Sequence, residues 1–336
     1  MKVSDYDFEL PEELIAQKPA IPRDSSRLLV IDRETYSFEH RVFAEIENFL
    51  HPGDVLVLNN SRVIPARLLG KKETGAKVEV VLTEKLDGGL WKAIVRPGSK
   101  IKLGNVLLFN KISCKVIEHC DDSSRILDFG SVTDEDVKKA GLLAIPPYVK
   151  YYPDDPESYQ TVYSRLEGSV AAPTAGLHFT DTLLERLRKK DVDVQFITLH
   201  VGIGTFRPVK SETIDGHKMH NEFFSVSSEV AERLERARKE KRRIVAVGTT
   251  TVRTLESIIA RHGSIVGDSG HTDIFIYPPY TFKAIDSLIT NFHLPRSTLL
   301  MLVSAFAGRE LILSAYREAI IKKYRFFSFG DACLIL

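Results

Sequence analysis

The chain has 336 residues, 43% hydrophobic and 27% charged, and its formal net charge is +1. This balance fits a globular protein with room for two domains and excludes a disordered one. A near-neutral total also excludes a uniformly basic nucleic-acid binder, so any RNA or DNA contact needs a local basic face.

Residues 11–17 read as a short helix, with Pro11 at its start and Glu12 and Glu13 in the first turn. Residues 28–32 read as a strand and 39–50 as a helix. The apolar run 55–58 reads as a strand buried on both faces. It ends in Asn59, Asn60, Ser61 and Arg62, where open α/β sheets collect ligands.

Residues 66–129 differ in texture. Six short strand-like runs (66–70, 77–83, 90–95, 106–109, 113–117 and 125–129) alternate with turn residues such as Asp87, Gly88 and Gly89. No long helical period interrupts them, which points to a small antiparallel barrel. Residues 66–130 hold 12 Lys/Arg against 8 Asp/Glu. That surplus fits an ordinary solvated face or an RNA-contacting one.

Beyond Pro146 and Pro147 the α/β texture returns. Helices are expected at 180–190, 227–242, 252–261, 299–306 and 310–323, and strands at 194–199, 244–247, 273–277, 287–292 and 328–335. The fold class is therefore α/β: a mixed, largely parallel sheet flanked by helices. The barrel is read as an insertion, with 1–65 and 148–336 forming the α/β domain and 66–147 the barrel domain.

Cys114, Cys120 and Cys333 match no zinc spacing, and their odd number argues against a disulfide framework. The N-terminus lacks the apolar stretch of a signal peptide, and no apolar run reaches the roughly 18 residues of a membrane span. A cytoplasmic protein without a membrane partner is expected.

Two runs suit a core poorly. Ser169-Val-Ala-Ala-Pro-Thr-Ala-Gly-Leu-His-Phe-Thr180 and Ile197-Thr-Leu-His-Val-Gly-Ile-Gly-Thr-Phe-Arg-Pro208 each set one His among small and hydroxyl residues. His178 and His200 are structural histidines or a proton-transfer pair. Thr174 and Gly176 in the first run, and Gly202, Gly204 and Thr205 in the second, leave space for a ligand against the backbone. Phe206 is placed to stack on a ring.

Gly248-Thr-Thr-Thr-Val-Arg253 follows a buried strand. Gly248, Thr249 and Thr250 at a helix start suit a carboxylate or phosphate, with Arg253 adding a charged fork, or else form a plain helix cap. Asn291 and His293 end another strand. His220 belongs to a His-x-x-His-x-Glu run that departs from the zincin spacing, so no metal is expected. Asp331 pairs with Arg325 or faces a cleft. No Gly-x-Ser-x-Gly elbow or dinucleotide fingerprint is present, which points to an enzyme that aligns two substrates.

These segments, together with Asp7-Phe-Glu-Leu-Pro-Glu-Glu-Leu-Ile-Ala-Gln17, Gly53-Asp-Val-Leu-Val-Leu-Asn59, Arg62-Val-Ile-Pro-Ala-Arg67 and Ile289-Thr-Asn-Phe-His-Leu-Pro295, carry a resemblance from end to end. The chain resembles the S-adenosylmethionine:tRNA ribosyltransferase-isomerases of queuosine biosynthesis. Asn60 stands where the family pattern has Asp.

The resemblance implies an α/β domain with a small β-barrel. It also implies transfer and isomerisation of the ribosyl part of S-adenosylmethionine onto 7-aminomethyl-7-deazaguanine at the tRNA wobble position. The product is epoxyqueuosine, with adenine and methionine released. S-adenosylmethionine is then a consumed co-substrate, no resident cofactor is expected, and the substrate tRNA is the macromolecular partner of a monomer. His178 and His200 become the expected catalytic pair. Asn59, Arg62, Asn291, His293, His220 and Asp331 join the helix start and the glycines as expected substrate contacts. Lys71, Lys72, Lys77 and Lys92 are an expected basic patch on the barrel. A conventional methyltransferase and a non-catalytic RNA-binding module are the competing readings.

Overall fold

Three nearly continuous apolar runs form the middle of the larger sheet. In the computed structural model, which describes residues 1–202, 204, 209 and 211–336, every residue of Val55–Asn59, Ile244–Val247 and Ser287–Asn291 is buried. The first third of the chain contributes β1 (Arg27–Ile31), β2 (Phe38–Val42) and β3 (Val55–Asn59). β4 (Ser61–Val63) then leads into the barrel strands β5 (Arg67–Lys72), β6 (Lys77–Lys85), β7 (Leu90–Arg96), β8 (Val106–Phe109), β9 (Ile112–His119) and β10 (Arg125–Asp128). Helix α1 (Asp134–Ala140) follows, and β11 (Leu166–Ser169) comes later.

The remainder runs α2 (Asp181–Lys189), β12 (Asp193–Leu199), β13 (Glu222–Val226), α3 (Ser228–Lys239), β14 (Ile244–Val247), α4 (Thr249–His262) and β15 (Asp268–Thr272). It closes with β16 (Ser287–Asn291), α5 (Thr298–Ala307), α6 (Arg309–Ile321) and β17 (Ala332–Ile335).

The large sheet has the order β15-β13-β12-β3-β14-β16-β17-β1-β2. Parallel pairing runs through its centre, β12-β3-β14-β16, and recurs between β17 and β1. The β16–β17 pair and the pairs at both edges are antiparallel. The mixed sheet with flanking helices and the inserted barrel are the architecture expected; parallel strands concentrate where both faces are covered. One core layer joins Leu28, Leu56 and Val245 to Phe179, Leu183 and Leu187. The latter two lie on α2, whose N-cap Thr180 accepts from the N–H of Leu183.

The six barrel strands close as β10-β7-β6-β5-β8-β9. Strict alternation, as in β7 and β8, turns every second side chain inward. Leu68, Val80, Ala93, Leu107, Val116 and Leu127 fill the interior with no exposed surface.

Two compact units result. One is Met1–Arg62, Pro146–Leu166 and Ala172–Leu336; the other is Val63–Ile145 and Glu167–Ala171. The boundaries expected at 66 and 147 thus move by a few residues, and the short return Glu167–Ala171 packs with the barrel. No single helix among the described residues is long and apolar enough to cross a membrane.

Three expectations fail. Residues 39–50 form β2 and a short 3-10 helix, Phe43–Asn48, not one α-helix. Residues 11–17 keep only the 3-10 turn Glu12–Leu14. The strand expected at 273–277 lies five residues earlier, at Asp268–Thr272, and 273–277 is not a strand.

Candidate active site

β14 ends at Val247, and Gly248 turns the chain into α4 with φ +84° and ψ 151°, a conformation nearly reserved for glycine. Its own N–H is held by the Ile289 carbonyl, and no side chain caps the helix. The first-turn N–H groups are therefore open to an acceptor, on the positive end of a 14-residue helix. This end opens on a cleft.

Ala172, Pro173, Thr174 and Ala175 line one side of the cleft, and Thr290, Asn291, Phe292 and His293 another. Val201, Phe327, Ser328 and Tyr148 also reach it. The Tyr148 and Ser328 hydroxyls lie 2.6 Å apart, and burial pushes the phenol up to about 12.

Two polar atoms of the lining are buried without a hydrogen-bond partner among the described residues: Oγ1 of Thr250 and Oδ1 of Asn291. A buried acceptor left unmade is costly, and such atoms mark places for a ligand or water. The Asn291 amide is oriented by its other end. Its Nδ2 donates to the Phe327 carbonyl at 3.0 Å and to Nε2 of His178 at 3.3 Å.

His178 is only 4% exposed and stacks on Phe43 with ring centroids 4.9 Å apart. Its Nδ1 lies 2.8 Å from Ser26 Oγ. Accepting from Asn291 makes Nε2 the bare nitrogen, so the proton sits on Nδ1 and donates to Ser26. Burial lowers its pKa to about 4, with Asp331 opposing the shift. Both nitrogens are committed within the protein, so His178 stands behind the cleft wall as a neutral ring. His293 lines the cleft; its Nε2 is 2.9 Å from Thr290 Oγ1, and burial lowers its pKa to about 3.

His200 has a different setting. It is half-buried, stacks on Phe223 at 5.5 Å and places Nδ1 2.8 Å from Ser61 Oγ. Burial lowers its pKa from 6.5. Asn59 anchors the backbone just ahead of it: Oδ1 accepts from the Leu199 N–H at 3.1 Å and Nδ2 donates to the Leu199 carbonyl at 2.9 Å. His200 and His178 share no hydrogen-bond partner among the described residues.

Arg253 does not face the cleft as a free fork. It is 4% exposed and pairs with Glu222, and the other Glu222 oxygen accepts from the Gly202 N–H at 2.7 Å. Glu222 is marked in the sequence as the last member of the His-x-x-His-x-Glu run, not as a partner of Arg253. It ties α4 to the loop after β12.

Several expected contacts are engaged elsewhere. Arg62 donates to Ser164 Oγ and pairs with Glu157. Asp331 accepts from the Arg27 and Arg325 N–H groups and from the Arg325 guanidinium, which settles the choice between pairing and facing a cleft. At Gly176 a Cβ would lie 2.0 Å from the Tyr163 hydroxyl, so this glycine makes room for Tyr163. At Gly204 a Cβ would lie 2.0 Å from Cδ2 of His220, so these two residues meet. Thr205 and Phe206 lie outside the described residues. No cluster of three or more His, Cys, Asp or Glu suited to a metal is found among the described residues.

Comparison with known proteins agrees along the whole chain. Residues 3–335 match the family described as queuosine biosynthesis protein. Proteins named S-adenosylmethionine:tRNA ribosyltransferase-isomerase from Thermotoga petrophila and Staphylococcus haemolyticus are 56% and 52% identical, each over all of both chains. A crystal structure described as S-adenosylmethionine tRNA ribosyltransferase, from Thermotoga maritima, aligns with a TM-score of 0.59 and 46% identity, covering 99% of this chain and all of that one. The chain belongs to the queuosine biosynthesis protein family, the family of the S-adenosylmethionine:tRNA ribosyltransferase-isomerases.

Proposed function

We propose that the protein transfers and isomerises the ribosyl moiety of S-adenosylmethionine onto 7-aminomethyl-7-deazaguanine at the tRNA wobble position. Epoxyqueuosine-tRNA, adenine and methionine are the products. S-adenosylmethionine is consumed, and no resident cofactor is required. The observation that carries this reading is the uncapped start of α4 in a cleft that also holds the unpartnered Thr250 Oγ1 and Asn291 Oδ1.

That pairing suits a ligand with a carboxylate at one end and N–H donors elsewhere. The methionine carboxylate takes the N–H groups of Thr249 and Thr250 and the Thr250 hydroxyl. Asn291 Oδ1 accepts from an amino group. Phe292, Phe327 and Ala175 supply the apolar wall a nucleoside needs.

The sulfonium acidifies the adjacent 5′ carbon, so a base removes a proton there. His200 fills this role, held by Ser61 on Nδ1 and neutral near pH 7. His178 acts through Asn291. The nucleophile is the substrate amine, in keeping with a chain that offers no nucleophile elbow.

The test is adenine release from S-adenosylmethionine with tRNA bearing the precursor base, followed by product mass. A gain of one methyl group supports a methyltransferase instead. Binding of tRNA with neither adenine nor methionine formed rejects the enzyme reading.

A further inference from the structure

The barrel carries cations that its own carboxylates do not neutralise. Among the described residues its ion pairs are Arg67–Glu79, Lys85–Asp134, Lys92–Asp122, Lys138–Glu167 and Lys139–Glu135. Lys71, Lys72, Lys77, Lys100, Lys102 and Lys115 belong to none of these. Lys92, expected in the basic patch, is thereby withdrawn from it.

Strand register and loop hydrogen bonds bring these six together. Lys71 on β5 pairs directly with Lys77 on β6, next to the tight turn closed by Gly75 N–H to the Lys72 carbonyl at 2.8 Å. Both are exposed, and like charges facing across a ladder weaken it. Lys72 donates to the Lys100 carbonyl at 3.0 Å, which brings that loop to the same end of the barrel. The turn after Lys102 is bonded to β9 through Gly104 N–H to the Val116 carbonyl at 2.8 Å, beside exposed Lys115. Leu108 joins the two groups, paired with Lys71 on one side and Ser113 on the other. Of the nearby carboxylates, Glu79 is held by Arg67, Glu73 sits in the turn and Glu118 lies farther along β9.

We infer that this end of the barrel is an RNA-docking surface that takes the phosphate backbone of the tRNA. A chain of net charge +1 concentrates here lysines without an ion pair among the described residues, and a polyanion relieves the repulsion between Lys71 and Lys77. Lysines without a bidentate fork or flanking base-reading groups hold backbone, not sequence. The inference rests on the tRNA reading above and deepens it by naming the surface.

The test uses the full chain with Lys71, Lys77, Lys102 and Lys115 all changed to Ser, and a second variant with the same four changed to Arg. Binding of unmodified tRNA transcript is measured from about 50 to 200 mM salt, with S-adenosylmethionine binding followed separately. The Ser variant is expected to lose affinity at least tenfold and to flatten the salt slope by about one per phosphate contact removed. The Arg variant is expected to bind as wild type, and both to keep S-adenosylmethionine binding. A Ser variant with wild-type tRNA affinity and slope overturns the inference, as does Ser-sensitive binding to phosphatidylserine vesicles without any to tRNA. Failure of the enzyme reading is separate: the wild-type chain then binds tRNA through these lysines but releases no adenine.

Discussion

The side-chain amide of Asn291 donates to Nε2 of His178 at 3.3 Å, and this contact decides where the imidazole keeps its proton. The two residues work as one unit: a buried ring that holds the amide so that Oδ1 stays available in the cleft.

Buried neutral histidines make the fold acid-sensitive. Burial lowers His178 from 6.5 to about 4, so the unfolded chain takes up the proton first as the pH falls. The stability contribution is complete above pH 6.5 and is lost progressively down to about pH 4. The size is about 3 kcal/mol for His178 alone, with His293 shifting in the same sense. Denaturant midpoints measured from pH 7 to 4 are expected to fall, and His178→Asn is expected to flatten the dependence.

Thr250→Val separates binding from folding. Its Oγ1 has no partner among the described residues, so removing it leaves the denaturation midpoint unchanged or raises it. S-adenosylmethionine affinity, followed by calorimetry, is expected to fall about tenfold.

Glu222 is the opposite case. Glu222→Ala leaves Arg253 charged and buried, with a cost of about 3–5 kcal/mol. Glu222→Gln keeps an acceptor for the Gly202 N–H and loses less. Paired urea titrations of the two variants check this order.

His200→Ala is expected to lower adenine release by about two to four orders of magnitude with little change in folding. In the wild type, burial lowers the His200 pKa, so kcat/KM is expected to rise with pH through a value below 6.5 and then level off. A variant that retains wild-type turnover removes His200 from the proposed chemistry.

Gly248→Ala tests the helix start. At φ +84° and ψ 151° an alanine costs about 1–3 kcal/mol. Its Cβ would sit 3.5 Å from Thr250 Oγ1, an ordinary contact, so the loss is expected in stability first and in KM for S-adenosylmethionine second.

Buried strands were the legible part of the fold. The runs at 55–58 and 244–247 are apolar throughout because neighbours cover both faces. β2 was misread because four of its five residues are exposed, so no alternation marks it. Phe43, Ile46 and Leu50 then mimic a helical period, although the first two sit on a 3-10 helix. In the site, small residues and the helix start pointed to the cleft. Glu222 stands out only as part of a His-x-x-His-x-Glu run; its pairing stayed hidden because Arg253 is 31 positions away, and only the folded chain puts both out of water. The different circumstances of His178 and His200 depend on Ser26 and Ser61, which no spacing links to either ring.

The missing cap on α4 also bears on how long the protein lasts. A helix whose first turn lacks acceptors is least secure when empty. A carboxylate bound there stabilises the folded chain by mass action, and resistance to heat and proteolysis then follows the concentration of free ligand. The same contact that orients the small molecule therefore makes it a measure of how firmly the folded chain is held, so a melting temperature read against its concentration reports the occupancy of the helix start.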